Sequence, residues 1–143
     1  MSPEEVVCKL ECQDLVSRYF RFLDRGPRSD IGQIFTEDAK MGASGDFNGI
    51  HPTQAFSTLP AEFTPTHLAT NILITPTGPD TATGEAYCVA YNTFGSPDDV
   101  LPRKMPDRPN RIGVVVFKFG KTPDGWRISE FDVGTAVYDD GAT

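Results

Sequence analysis

Apolar residues recur every three or four positions between Ser2 and Gly26. They are Cys12, Leu15, Val16, Tyr19, Phe20 and Leu23. This spacing puts them on one face of an α-helix. The start, Ser2-Pro3-Glu4-Glu5, has the form of a capping box with proline at the first helical position. Because Gly26-Pro27 is typical of a helix end, the pattern predicts one long amphipathic helix.

Two shorter helices are expected after it. Asp30 can cap a helix over residues 30–35, and His51-Pro52 can open a third helix that closes before Pro60. Between these two, the glycines of 42–49 favour turns or a short hairpin over further helix.

From Thr66 onward the period changes from helical to alternating. Runs rich in Thr, Val, Ile, Tyr and Phe are separated by turn residues, which is typical of a sheet. The predicted strands are Thr66 to Thr75, Thr81 to Phe94, Arg111 to Lys121 and Trp126 to Thr135. The order predicts one α+β domain over residues 1–143, with helices first and an antiparallel meander after them.

A proline-rich stretch interrupts this second half over residues 95–110. Its prolines are Pro97, Pro102, Pro106 and Pro109. They exclude a central strand. Connections of this length are commonly functional rims or solvated segments, and both interpretations stay open.

The composition and charge of the chain exclude some classes of binding partner. A formal charge of -7 and a pI near 4.7 oppose a nucleic-acid partner, because phosphate binding requires clustered Lys and Arg. No apolar run approaches the roughly 20 residues of a membrane-spanning helix. The acidic start, Met1 to Glu5, lacks the basic and then apolar form of a signal peptide. We therefore expect a cytoplasmic protein without a membrane partner.

Metal and cofactor motifs are missing from the sequence. Cys8 and Cys12 lie one helical turn apart, a geometry that suits reduced packing residues rather than a disulfide. Neither the cysteines nor the two histidines have the spacing of a zinc or iron site. With no GxGxxG sequence, P-loop or nucleophile elbow, we expect activity without metal or cofactor.

The last strand carries two acids. Glu130 and Asp132 alternate with Phe131 and so share one face, together with Trp126 and Ile128. A carboxyl group beside Trp126 would be buried, which raises its pKa and makes it a usable general acid. The opposite interpretation, in which Phe131 faces the core and the acids face solvent, fits the alternation equally well.

Three other polar residues are candidates for substrate contacts. Tyr87 and Tyr91 share one face of the second long strand, where they suit either a pocket wall or a dimer interface. Asn71 follows His67 by four positions, so both are expected on one strand face, where the amide could bind a substrate oxygen. His51 is expected to be a helix-start residue outside the site.

Four short sequence motifs, in this order along the chain, resemble those of one superfamily. They are Arg18 to Gly26 at the end of the first helix, Ile34 to Ala39 ("LFxxDA"), Thr66 to Asn71 ("HxxxN") and Asp124 to Ile128 ("DGWRI"). Together they resemble the SnoaL-like branch of the nuclear-transport-factor-2-like superfamily. The resemblance implies a cone, in which a strongly curved antiparallel sheet wraps round the N-terminal helices. Its members include cyclases, isomerases, dehydratases and non-catalytic binding proteins, so the fold leaves the chemistry open.

Within this resemblance, Asp24 and His67 match the acid and the histidine that share a pocket in scytalone dehydratase. Histidine can move protons near neutral pH, and a carboxylate can fix its tautomer. The alternatives are a solvent-facing Asp24 and a strand-end His67 bonded to backbone. Tyr19 resembles the hydrogen-bond donor of ketosteroid isomerase, although a core role is equally consistent. That enzyme's mechanism is doubtful here, since Val115 stands where its partner acid would lie.

Two functions follow from the resemblance. The first is a cofactor-independent isomerase, dehydratase or cyclase for a small apolar oxygenated metabolite in polyketide or terpenoid biosynthesis. His67 would be the acid or base, Asp24 would orient it, and Glu130 would protonate substrate oxygens. Tyr19, Asn71, Tyr87, Tyr91, Asp132 and Trp126 would bind the substrate. The second is a non-catalytic binding or dimerisation module. In both cases a homodimer through the convex sheet face is expected.

Overall fold

The computed structural model describes residues 1–43, 46–47, 49–96, 99 and 101–141. Its helices are α1 (Pro3–Arg25), a 3-10 helix (Arg28–Ile34) and α2 (Pro52–Ser57). Its strands are β1 (Phe35–Ala43), β2 (Asp46–Phe47), β3 (Thr66–Pro76), β4 (Thr81–Tyr91), β5 (Arg111–Thr122) and β6 (Gly125–Asp139). None of the helices in these ranges is long and apolar enough to cross a membrane.

The first helix begins and ends as predicted. The Ser2 N–H donates to Glu5 Oε2 over 2.8 Å, and the Glu5 N–H donates to Ser2 Oγ over 3.2 Å, which completes the capping box. At the other end Gly26 adopts a φ of 63°, and its N–H donates to the Phe22 carbonyl. All the apolar residues of the predicted face are buried.

The predicted second helix is only partly correct. A 3-10 helix begins at Arg28 with Pro27 as its N-cap residue, so Asp30 lies inside the helix and does not cap it. Phe35 leaves the helix and starts β1, which pairs in parallel with β6 from Phe35 opposite Ile128. Tertiary pairing thus overrides the local pattern in this segment. β1 and β2 form the expected short hairpin; Gly45 lies outside the described residues.

One mixed sheet of six strands has the order β2-β1-β6-β5-β4-β3. The four predicted strands are confirmed, although β4 ends at Tyr91 and β6 continues to Asp139. The pairs among β3, β4, β5 and β6 are antiparallel, and the parallel pairing of β1 with β6 corrects the expectation of a purely antiparallel sheet. The α+β architecture itself is confirmed.

The core lies between α1 and the inner face of the sheet. On β4 this face carries small residues, Ala82, Ala86 and Cys88, which let the helix approach. On β5 it carries Val115, Phe117 and Phe119, all buried. The remaining space over the sheet, beyond the last turn of α1, is where the candidate site lies.

Candidate active site

Asp24 and His67 form a close pair at the junction of α1 and β3. Asp24 Oδ1 lies 2.5 Å from His67 Nδ1, and Asp24 Oδ2 accepts a hydrogen bond from the His67 backbone N–H over 2.6 Å. Each side chain is 11% exposed. The carboxylate therefore holds both the ring and the backbone of the histidine, with little competition from solvent.

This arrangement selects one tautomer of the imidazole. Because a carboxylate accepts hydrogen bonds, the proton of the neutral ring lies on Nδ1, and Nε2 keeps its lone pair. The Phe20 ring packs on the imidazole with centroids 5.2 Å apart, which restricts its rotation. The second ring nitrogen of His67, Nε2, is thus directed away from Asp24 and carries a lone pair.

A cavity of about 1250 Å³ opens beside Asp24; His67 is not among the residues that line it. Asp24 and Thr66 lie in its wall, together with apolar residues from α1, the 3-10 helix, α2 and the segment that precedes β3. Residues 99, 101–103 and 105 close another side, so the described part of the proline-rich stretch supports the pocket-rim interpretation. Pro97 lies outside the described residues. The cavity is large enough for a small metabolite.

Arg111 is a charged residue on the inner sheet face that the sequence pattern did not single out, and it is not among the residues that line the cavity. On the inner sheet face His67 lies opposite Ala90, and Ala90 lies opposite Arg111, so the three side chains project to the same side. Two strand spacings put the backbones of His67 and Arg111 about 10 Å apart. The guanidinium lies over Gly113, where a Cβ would be only 2.7 Å from Nη1.

The guanidinium of Arg111 is oriented by backbone carbonyls. Nη1 donates to the Val133 carbonyl over 3.3 Å, and Nη2 donates to the Gly134 carbonyl over 3.4 Å. The sequence contained a signal for this position. Arg111 lies an even number of residues before the buried Val115 and Phe117, so all three side chains project from the same face of the strand. An arginine in register with core residues indicates a charged group on the inner face.

Cys88 and Tyr19 lie near these charges but remain neutral. Burial, with a smaller contribution from the charge of Asp24, raises the pKa of the Cys88 thiol to about 12, and the charge of Arg111 opposes this shift. Burial also raises the pKa of Tyr19 well above its usual range, with smaller contributions from Cys88 and Asp24. A thiol this far from ionisation is a poor nucleophile, so Cys88 is a packing residue.

The structure places Tyr19 in the aromatic core. It is 3% exposed, and its ring contacts five aromatic rings, those of Phe20, Phe35, Phe56, Phe117 and Phe131. It is not among the residues that line the cavity. Of the two roles considered, the placement supports core packing.

Asn71 does not share the face of His67, so that expectation is wrong. The pairing of β3 with β4 shifts between Thr70 and Leu73, and Asn71 has a φ of 54° at this bulge. The extra residue breaks the alternation, leaves Asn71 exposed and turns Ile72 and Ile74 toward the core.

Glu130 and Asp132 do not share the face of Trp126. A register shift in β6 between Ile128 and Glu130 reverses the alternation, so Trp126 and Phe131 are both buried. Glu130 forms an ion pair with Lys118 on the outer face, with Nζ and Oε2 3.2 Å apart. Asp132 lies on the same outer face. Both carboxylates therefore lie on the face opposite the core, which does not fit the expected roles of Glu130 as general acid and Asp132 as a substrate contact.

Trp126 and the two tyrosines of β4 also lie away from the pair. Trp126 packs beside the middle of α1, where its backbone N–H donates to Glu11. The inner face of β4 carries Cys88 and Ala90, so Tyr87 and Tyr91 project from the outer face, and Tyr87 is 47% exposed. The pocket-wall interpretation is wrong for Tyr87, and the dimer-interface interpretation stays open.

The second histidine is structural, as expected. His51 caps α2 by accepting from the Thr53 N–H, and its Nε2 lies 3.0 Å from the Thr36 carbonyl. Over the described ranges, no group of three or more His, Cys, Asp or Glu side chains could hold a metal ion.

Known structures share this fold. A hexachlorocyclohexane dehydrochlorinase, LinA-type3 from Novosphingobium barchaimii LL02, has a TM-score of 0.72 and 14% identity, with 94% of this chain and 90% of that chain covered. A proposed scytalone dehydratase from Novosphingobium aromaticivorans DSM 12444 has a TM-score of 0.69 and 13% identity, with 100% and 99% covered. ActVI-ORFA from Streptomyces coelicolor has a TM-score of 0.65 and 14% identity, with 90% and 96% covered.

No curated protein matches the sequence. At these identities the structural matches show the fold alone. The family is shown by the sequence itself, because the model of the SnoaL-like domain matches residues 4–132, which is most of the chain and includes both Asp24 and His67. The chain belongs to the SnoaL-like domain family.

Proposed function

We propose that this protein is a cofactor-independent lyase or isomerase that acts on a small apolar oxygenated metabolite by acid-base chemistry. The proposal rests on one observation: Asp24 holds both the ring and the backbone of His67 beside a cavity of about 1250 Å³. The proposed setting is natural-product biosynthesis of the polyketide or terpenoid type. Two proteins of the same fold carry the names of a dehydratase and a dehydrochlorinase, which favours elimination.

His67 would act as the base. Its Nε2 lone pair would take a proton from a carbon or hydroxyl of the substrate, and Asp24 would stabilise the imidazolium that forms. The same nitrogen would then return the proton to a leaving oxygen or to another carbon. Arg111 would stabilise negative charge that develops on the substrate between the two groups.

The identity of the substrate would decide the reaction. Mass spectrometry of molecules extracted from the purified protein gives candidates for the cavity, and each is then incubated with fresh protein. Isomerisation leaves the substrate mass unchanged and alters its retention or spectrum, whereas dehydration removes one water. A ligand that is bound tightly and returned unchanged would contradict the enzyme and favour the non-catalytic binding module.

Arg111→Gln is expected to lower turnover about 10²-fold, the usual loss when one donor to a developing oxyanion is removed. The loss should be mainly in kcat, because the charge is needed at the transition state. Arg108→Gln, in an exposed position on the proline-rich stretch, removes the same charge and serves as the control. Equal turnover in Arg111→Gln and wild type would exclude this role for Arg111.

We also propose that the outer sheet face forms a homodimer. Exposed apolar residues lie together there, with Leu68 51%, Tyr87 47% and Val116 39% exposed on neighbouring strands. A contiguous apolar face of this kind is typical of an interface.

The double variant Tyr87→Glu with Val116→Glu is expected to be monomeric, because it would bury like charges in that interface. Light scattering across a range of concentrations measures the mass. Leu10→Glu, which adds charge at an exposed apolar position of α1, should leave the dimer intact. A wild-type protein that is monomeric at every concentration would contradict the proposal.

A further inference from the structure

The wall of the cavity beside Asp24 includes an arginine with one buried nitrogen that has no hydrogen-bond partner in the described part of the chain. The charged residues in its wall are Asp24, Arg25, Arg28, Asp99 and Arg103. Arg25 and Asp99 are exposed, so water screens their charges. Asp24 is engaged by His67. The two half-buried arginines therefore decide what the wall offers to a ligand.

Arg28 is satisfied by backbone carbonyls. Its Nε donates to the Leu23 carbonyl over 3.2 Å, its Nη1 donates to the Pro60 carbonyl over 3.1 Å, and its Nη2 donates to the Phe63 carbonyl. The guanidinium also lies 5.7 Å from the centroid of the Phe63 ring. Arg28 therefore links the end of α1 to the segment before β3 through these hydrogen bonds.

Arg103 lacks such partners. Its Nη1 atom is buried and has no hydrogen-bond partner in the described part of the chain. The ion pairs found there join Arg18 with Asp14, His67 with Asp24 and Lys118 with Glu130, and none includes Arg103. Leaving a charged guanidinium partly buried without full pairing is unfavourable, and an anion in the cavity would relieve that penalty.

The rest of the wall is mainly apolar. Leu23, Ile31, Phe56, Leu59, Phe63 and Met105 all contribute side chains to it. The Asp99 carboxylate and Arg103 Nη1 both lie within 4 Å of a Cβ placed on Gly95, but no hydrogen bond joins them. A cavity with one such unpaired guanidinium nitrogen and mostly apolar walls suits a ligand with an apolar body and a single acidic group. A planar carboxylate matches the guanidinium through two parallel hydrogen bonds.

We propose that the cavity binds apolar carboxylates and that Arg103 recognises the carboxylate. This deepens the proposed function, on which it rests, by naming the class of substrate. Arg103 would hold the acid group while the apolar body extends toward Asp24 and His67.

A matched pair of probes tests the proposal by calorimetry at fixed ionic strength. 2-Naphthoate and 2-naphthamide have the same ring system and nearly the same shape, but only the first is an anion at neutral pH. We expect the wild-type protein to bind 2-naphthoate at least about tenfold more tightly, the size of one charge-assisted hydrogen-bonding contact. Arg103→Gln should reduce the ratio of the two affinities to about one.

Lys104→Gln is the matched control, since Lys104 is the next residue along the chain, carries the same charge and is exposed. It should keep the wild-type ratio. The proposal is overturned if the wild-type protein binds neither probe or shows no preference, if Arg103→Gln keeps the preference, or if both variants lose it equally. Binding needs no turnover, so a protein that binds 2-naphthoate as described but converts no substrate contradicts only the proposed function.

Discussion

His67→Ala is expected to lower turnover of the substrate by ~10²–10⁴-fold, the usual contribution of a general acid-base group. The variant should remain folded, because Asp24 keeps its contact with the backbone N–H of residue 67. Circular dichroism and a melting curve check the fold. His51→Asn is the control: it removes the other histidine and retains a residue that caps helices well, so its turnover should equal that of wild type.

Asp24→Asn should cause a smaller loss than His67→Ala, since the ring stays but loses its orienting carboxylate. The double variant should lose little more than His67→Ala alone, because nothing is left to orient. Two-bond ¹⁵N–¹H correlations of the His67 ring provide a readout that needs no substrate: the proton should lie on Nδ1 in wild type and be shared between both nitrogens in Asp24→Asn. Wild-type turnover in both single variants would refute the assignment.

Gly134→Ala is expected to reduce the free energy of unfolding by ~2–4 kcal/mol, through steric overlap and backbone strain together. Gly134 has a φ of 76°, and a Cβ there would lie 1.7 Å from the Val114 carbonyl oxygen. Only a shift of β6 against β5 can relieve that overlap. The shift would also displace the Gly134 carbonyl, which accepts from Arg111.

Gly49→Ala separates the two causes. Gly49 has a φ of 79°, but a Cβ there would meet nothing within 4 Å. It should therefore lose only about 1 kcal/mol for the left-handed backbone. Denaturant titrations at one protein concentration compare the variants. If the two lose equal stability, the steric explanation for Gly134 is incorrect.

The local features of the chain were readable from the sequence because each depends on residues close together along it. The capping box needs only Ser2 and Glu5, and Gly26 ends the first helix through its own backbone freedom. The alternation of apolar and polar residues predicted β3 to β6, because this pattern also depends only on neighbouring residues. The pairing of Asp24 with His67, 43 positions apart, came from the family resemblance rather than from any local pattern.

What only the tertiary structure decided depends on contacts between distant segments. β1 forms because its backbone pairs with β6, although the local pattern predicted a helix through Phe35 followed by turns or a short hairpin. The bulges at Asn71 and before Glu130 each insert one residue into a strand. Because side chains alternate between the two faces of a sheet, one inserted residue moves every later side chain to the opposite face. That reversal moved Asn71 and Glu130 away from His67.

The same dependence explains Arg111 and Arg103. Arg111 shares the inner face with His67 because Ala90 lies between them, a relation set by the register of three strands. Arg103 becomes a cavity residue because residues 101–103 and 105 line the same cavity as the ends of α1 and α2. The sequence thus determined the elements and, through the family, the central pair, whereas register and chain packing decided which charges surround that pair.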